Sequence, residues 1–183
     1  MSSSKFWKTL SSELAFDNKW MKVQRDTVQL PNGTILDDYY MYKSSDVIVV
    51  IALTPDNKVV LVKQYKHAGD DIFTEAPAGF VNDGEAHLDA AKRELEEETG
   101  YTSESFEYLG KLTHNPTKVI ETIHAYLATN VQKTTNQHLD ENESIEVLLK
   151  TPQEVLEMIE SGELWVTGSI AAFFKAFRKM GVI

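Results

Sequence analysis

The sequence predicts an α/β fold, with helices interleaved among strands in mixed order around one main core. Three observations carry that expectation. Apolar runs of strand length recur between residues 35 and 65 and again between 106 and 149, bounded by Pro, Gly, Asn and Asp. Helical patterns with clear start or stop residues follow Glu85 and Thr151. A chain of 183 residues can bury one good core and carry a small extension. The expected division is an N-terminal β extension over residues 1–45 and the main domain over residues 46–183.

Taken in order, residues 20–30 alternate loosely, and Pro31-Asn32-Gly33 supplies a hairpin turn. Residues 35–42 return as an aromatic-rich strand. Residues 47–53 are continuously apolar and should form a buried strand, which Pro55-Asp56-Asn57 turns into a strand over 58–65. The helix after Glu85 should stop at Gly100, a natural residue for the left-handed position past a helix end. Strands are expected at 106–113, 122–129 and 144–149, with a polar loop over 131–142. Thr151-Pro152 reads as N-cap and first helical residue of a helix through Ile159 that ends near Gly162. A last amphipathic helix is expected from about Ser169 to Met180, with Phe173, Phe174 and Phe177 in the core.

The most informative stretch is Gly79-Phe-Val-Asn-Asp-Gly-Glu85, seven residues, then Arg93-Glu94-Leu95-Glu96-Glu97-Glu98-Thr99-Gly100-Tyr101. At helical spacing Glu94 stacks on Glu97 and Glu98, and like charges so placed cost about 0.2–0.5 kcal/mol per pair. The negative C-terminal end of the helix dipole makes the placement worse. A cation among the carboxylates resolves the conflict, and oxygen ligands without cysteine or histidine suit Mg²⁺, with Mn²⁺ as a substitute.

This spacing, Gly-x5-Glu-x7-Arg-Glu-aliphatic-x-Glu-Glu-x-Gly-hydrophobic, resembles the signature of the Nudix hydrolases at every defined position, Tyr101 being a soft departure from the usual aliphatic residue. The resemblance implies a Nudix-type α/β/α sandwich with a mixed sheet, plus the small N-terminal β extension. It makes Glu94 and Glu98 the principal metal carboxylates, with Glu97 close behind and the Ala78 carbonyl a further ligand. Arg93 is expected to clamp the acids by bidentate pairing. Glu85 should orient that clamp, and Gly79 should bring backbone close to the metal, as should Gly84. Glu96 should point away into solvent.

Flanking residues resemble the ADP-ribose and nucleoside diphosphate sugar pyrophosphatase branch. They are Glu75-Ala-Pro-Ala-Gly79, Pro116 fifteen residues after Tyr101, Glu121 five further on, and the acidic segment 139–147. Glu141 is the expected general base, with Glu143 second or as an additional ligand. Lys66 stands where the branch usually has arginine, and Thr117 where glycine is common, so strict ADP-ribose specificity is not expected and a GDP-mannose or broader sugar preference stays open beside it. Trp20 and Tyr39, with Tyr40, are candidate nucleobase contacts, and Lys66 and Glu121 candidate contacts to the rest of the substrate. The family commonly forms dimers in which the extension crosses to its partner, so a homodimer with shared sites is expected.

The resulting expectation is a Mg²⁺-dependent pyrophosphohydrolase that splits nucleoside diphosphate sugars into a nucleoside monophosphate and a sugar phosphate. The alternatives are a nucleoside triphosphate pyrophosphohydrolase of the same fold and a non-catalytic nucleotide-sugar sensor. A net charge of −10 argues against nucleic-acid or anionic-membrane partners, which need a basic face. The chain has no cysteine and no apolar run approaching about eighteen residues, so a cytoplasmic protein is expected. His67, His87, His114, His124 and His138 lack metal spacing, and none is assigned a catalytic role.

Overall fold

The computed structural model describes residues 5–19 and 21–183. In chain order the strands are β1 (Lys8–Asp17), β2 (Lys22–Gln29), β3 (Ile35–Lys43), β4 (Val47–Leu53), β5 (Val59–Lys66), β6 (Asp71–Glu75) and β7 (Ala78–Phe80). Helix α1 (His87–Thr99) follows, then β8 (Tyr101–Thr102), β9 (Ser105–Leu112), β10 (Val119–Ile120), β11 (Ile123–Thr129), β12 (Gln132–Lys133) and β13 (Ile145–Lys150). Helices α2 (Pro152–Ser161) and α3 (Thr167–Met180) close the chain. Two compact units emerge, Met1–Ser45 with Asn115–Glu121, and Asp46–His114 with Thr122–Ile183.

The first unit is a four-stranded sheet in the order β1-β2-β3-β10. Gly33 takes φ 87° in the β2–β3 turn, and the Asn32 side chain accepts the Thr34 N–H at 3.0 Å. β1 carried no alternating pattern in the sequence because all ten of its residues are exposed, Leu10, Leu14 and Phe16 among them. The segment 115–121 returns to this unit, and β10 pairs in parallel with β3.

In the second unit the sheet runs β13-β5-β4-β11-β9, and β4 is buried almost throughout. Its alternate residues face opposite layers, as strand geometry demands. Val49, Ile51 and Leu53 meet Val155 and Met158 of α2 and Ala172, Phe173, Ala176 and Phe177 of α3. Ile48, Val50 and Ala52 meet Ala90, Ala91 and Leu95 of α1. The result is an α/β/α sandwich around a mixed sheet.

One irregularity of this sheet builds the site. β4 and β5 pair antiparallel only at Ala52↔Val60 and Leu53↔Val59, beside their turn. Beyond that point β5 pairs with β6, and β4 pairs with β7. The wedge is closed by residues 76–79, where Val50 donates its N–H to the Pro77 carbonyl at 2.9 Å. The Glu75–Gly79 segment is therefore carried under the acidic face of α1.

Helix ends follow local chemistry. Gly100 sits at φ 74° past α1. Thr151 and Glu154 form a reciprocal capping box on α2, and those bonds hold the Glu154 carboxyl down at about 2. α3 starts at Thr167, slightly ahead of the expected position near Ser169, and Ser169, buried in its first turn, accepts the Ala76 N–H on its hydroxyl at 3.1 Å. One expectation needs correction. Phe174 is 60% exposed, since its place on the helix turns it away from the face that buries Phe173 and Phe177. Among the described residues no helix is long and apolar enough to cross a membrane.

Candidate active site

Five glutamates and one arginine converge where α1 faces the β6–β7 segment. Arg93 holds three of them. Its Nε and Nη2 donate to the two carboxylate oxygens of Glu85 at 2.8 and 2.9 Å, a bidentate pair. Its Nη1 donates to Glu94 Oε1 at 2.7 Å and Glu97 Oε2 at 3.0 Å, and Nη2 also reaches the Phe80 carbonyl at 3.0 Å. The guanidinium holds the Glu85 carboxyl at about 2 and has its own pKa raised in return. Glu85 additionally accepts the Asn82 N–H at 2.9 Å, which closes the turn before the helix.

Glu98 lies deeper and is buried. Burial pushes its carboxyl up to about 8, aided by the charges of Glu94 and Glu75 and opposed by the Ala78 N–H, which donates to Glu98 Oε2 at 2.9 Å. Burial also raises Glu94, with Arg93 opposing and Glu97 and Glu143 reinforcing the shift. Gly79 leaves the space that Glu94 fills: a Cβ on it would run into the Glu94 carboxyl group and push that side chain aside. Glu96, by contrast, is exposed on the opposite face of α1.

Behind Glu98 stands Glu75, a buried carboxylate the sequence reading did not single out as a site residue. Lys66 forms an ion pair with it, and Gln64 Nε2 donates to it at 3.3 Å. The ammonium placed among the expected substrate contacts thus has a carboxylate partner inside the cluster.

The acidic loop connects to the same helix through groups that no motif announced. His138 donates its N–H to the Glu97 carbonyl at 2.9 Å, and Thr134 donates to the Gly100 carbonyl at 3.0 Å. Gln137 Nε2 bridges the Glu98 carbonyl at 2.7 Å and the Ile145 carbonyl at 3.1 Å. These donors satisfy carbonyls that a helix end leaves unpaired. Their cue in the sequence was slight: a run of polar residues beyond the helix. Glu141 and Glu143 are both exposed; Glu143 Oε2 accepts the Asp140 N–H at 3.1 Å, and its charge is felt at Glu94.

The remaining expected contacts fall elsewhere. Tyr39 and Glu121 belong to the first unit, where the Tyr39 hydroxyl donates to the Thr117 carbonyl at 2.7 Å and Lys118 Nζ lies 4.6 Å from its ring centre. Tyr40 is exposed in the same unit, and Trp20 lies outside the described residues.

Carboxylates and a nearby backbone form an all-oxygen donor set that fits a hard divalent cation. The upward shifts of half-buried Glu94 and buried Glu98 express the same fit, because a cation at this place would relieve both.

Comparison with known proteins agrees with this geometry. Residues 43–166 match the NUDIX domain, and residues 7–41 match the nucleoside diphosphate sugar hydrolase N-terminal domain. A methanol dehydrogenase activator of Bacillus methanolicus is 35% identical over 90% of this chain and 89% of its own. An ADP-ribose pyrophosphatase of Bacillus subtilis is 32% identical over 86% of this chain and 85% of its own. A solved structure described as an ADP compounds hydrolase superposes with a TM-score of 0.84, covering 97% of each chain at 18% identity.

Proposed function

The chain belongs to the NUDIX domain family, and from that premise we propose that it is a Mg²⁺-dependent pyrophosphohydrolase of nucleoside diphosphate sugars, ADP-ribose and GDP-mannose among them. The products are a nucleoside monophosphate and a sugar phosphate. The observation that carries this reading is the Arg93-clamped set of Glu85, Glu94 and Glu97, with buried Glu98 beside Ala78. Similarity to an ADP-ribose pyrophosphatase over most of the chain, and the N-terminal match over residues 7–41, favour sugar nucleotides over nucleoside triphosphates.

Glu94, Glu97, Glu98 and the Ala78 carbonyl would hold the divalent ion. When bound, such an ion neutralises diphosphate charge and acidifies water. Arg93 fixes the carboxylates in one geometry without touching substrate, and Gly79 leaves Glu94 room. The base is a glutamate of the acidic loop. Of Glu141 and Glu143, Glu143 has the structural support, since its charge reaches Glu94. It would take the proton of the attacking water as the phosphoric anhydride bond breaks. Lys66, paired with Glu75, offers a point charge rather than a planar fork, in keeping with a broad sugar preference.

Trp20, Tyr39 and Glu121 are proposed substrate contacts supplied by the N-terminal extension, and the working unit is proposed to be a cytoplasmic homodimer. The exposed Leu10, Leu14 and Phe16 of edge strand β1 support dimerisation, because an open apolar edge is normally covered. A fully active monomer in analytical ultracentrifugation would remove the shared site.

The deciding experiment is chromatographic product analysis with ADP-ribose, GDP-mannose, UDP-glucose and dGTP, each with Mg²⁺ or EDTA. Mg²⁺-dependent AMP or GMP from the sugar nucleotides is expected. Cleavage of dGTP alone would favour the triphosphate reading, and tight binding without products the sensor reading.

A further inference from the structure

The second unit brings together three residues that sequence spacing kept apart. Asp46 precedes β4, His87 opens α1 and His124 lies on the α1-facing side of β11. One ligand atom from each falls within a span of 4.8 Å. His124 Nε2 is 3.2 Å from Asp46 Oδ2, and His87 Nε2 is 3.6 Å from the same oxygen. For metal–ligand bonds of about 2.0–2.1 Å, the edge of a tetrahedron is about 3.3–3.4 Å. The two observed separations bracket that edge.

The ligand atoms are also oriented from behind. The Thr122 N–H donates to Asp46 Oδ1 at 2.8 Å, which leaves Oδ2 facing the imidazoles. The Tyr108 hydroxyl lies 3.0 Å from His124 Nδ1, so Nε2 is the nitrogen turned towards the aspartate. An outer partner on the second ring nitrogen is the usual company of a metal-bound histidine. Asp46 also accepts the Val81 N–H on its carbonyl at 2.9 Å, which ties it to the segment entering α1.

We propose that Asp46, His87 and His124 form a second metal site, separate from the carboxylate set, that takes a zinc-type ion and staples the first turn of α1 to β4 and β11. Two imidazoles and one carboxylate suit Zn²⁺ or Co²⁺, whereas Mg²⁺ prefers oxygen alone. A fourth position is left for water. Without the ion the two rings stack, with centroids 3.6 Å apart. Loading requires the His87 ring to turn off that stack, and its side chain is 40% exposed at the start of the helix, so the rotation is open to it. This site serves structure and stands whether or not the proposed substrate class is right.

The test uses the metal-stripped full-length chain and the ions alone. Co²⁺ should give the intense visible absorption of a tetrahedral site with nitrogen ligands, and Zn²⁺ should displace it in calorimetric titration. The doubly substituted Glu94→Gln, Glu98→Gln protein should retain that signal. His87→Gln should lose it while keeping its circular dichroism and its Mg²⁺ response, and half-exposed His87 is chosen because buried His124 also packs the sheet. Tyr108→Phe should weaken Zn²⁺ by about 10–100-fold, the scale of losing an outer partner. An unchanged Co²⁺ spectrum and stoichiometry in His87→Gln would overturn the site. So would loss of all Zn²⁺ binding in the glutamate variant, which would place the ion on the acidic helix.

Discussion

The carboxylates of α1 and those of the acidic loop are held in opposite ways. On the acidic face of the helix Glu94 and Glu97, with Glu85 just ahead of the first turn, are held by Arg93, and Glu98 by burial and the Ala78 N–H. In the loop Glu141 and Glu143 are exposed, and the turn rests on local bonds between Asp140 and Glu143 of 3.0 and 3.1 Å. The helix stores repulsion and desolvation in a rigid frame, the arrangement a cation site needs to be ready before the ion arrives. The loop is loosely tied, as befits a group that must approach bound substrate and then let product leave. Stiffness is thus assigned by role along a few tens of residues.

Glu98→Gln attacks the rigid side and should have the largest effect. It removes one charge from the proposed cation site, and a fall in kcat of about 10³-fold is expected, matching several kcal/mol of lost charge stabilisation. Steady-state kinetics over a Mg²⁺ titration measures it. If excess Mg²⁺ restores full turnover, Glu98 sets affinity alone.

The stored desolvation predicts an unusual pH dependence for the metal-free protein. Glu98 has a folded pKa of about 8 against an ordinary 4.5. Between those values the folded state keeps a proton that the unfolded chain has released, so stability is full below 4.5 and is lost as pH rises through 8. The loss is on the order of a few kcal/mol, which lowers Tm by several degrees for a chain of this size. Mg²⁺ should flatten the slope. A Tm of the EDTA-treated protein that is level from pH 5 to 8 would mean that the Glu98 site is far wetter than its burial implies.

In the loop, Glu143→Gln should lower kcat by about 10²-fold with little change in KM, the typical weight of a general base. Glu141→Gln should leave turnover within a few-fold. The reverse ranking would return the base to Glu141, the residue that position along the sequence favours.

That ranking marks where the sequence stops being informative. The strands over 47–53 and 123–129 were legible because burial on both faces imposes an unbroken apolar run, and the acidic helix because Gly100 imposes an end. The carboxylate set was legible because its members share one helix face. β1 was not, since a strand exposed along its whole length carries no alternation. The partnership of Lys66 with Glu75 depends on the β5–β6 pairing, and that of Asp46, His87 and His124 on the β4–β11 register. Side chains joined by non-local pairing leave no local spacing to read.

The smallest effect expected is that of Gln137→Leu, and it tests the boundary between the two regions. Gln137 bonds the Glu98 carbonyl and the Ile145 carbonyl, so one side chain spans from the end of the rigid helix to the strand that follows the acidic loop. Losing both bonds costs about 1–2 kcal/mol of loop anchoring, and kcat should fall about tenfold. The backbone bonds from Thr134 and His138 to α1 remain, which is why the loss stays modest. KM and Mg²⁺ affinity should hold, while amide exchange over residues 139–144 should quicken. If Mg²⁺ affinity drops together with kcat, Gln137 supports the helix, and the two regions are one mechanical body. If neither moves, the loop finds its place without this tether, and its position is set by the substrate.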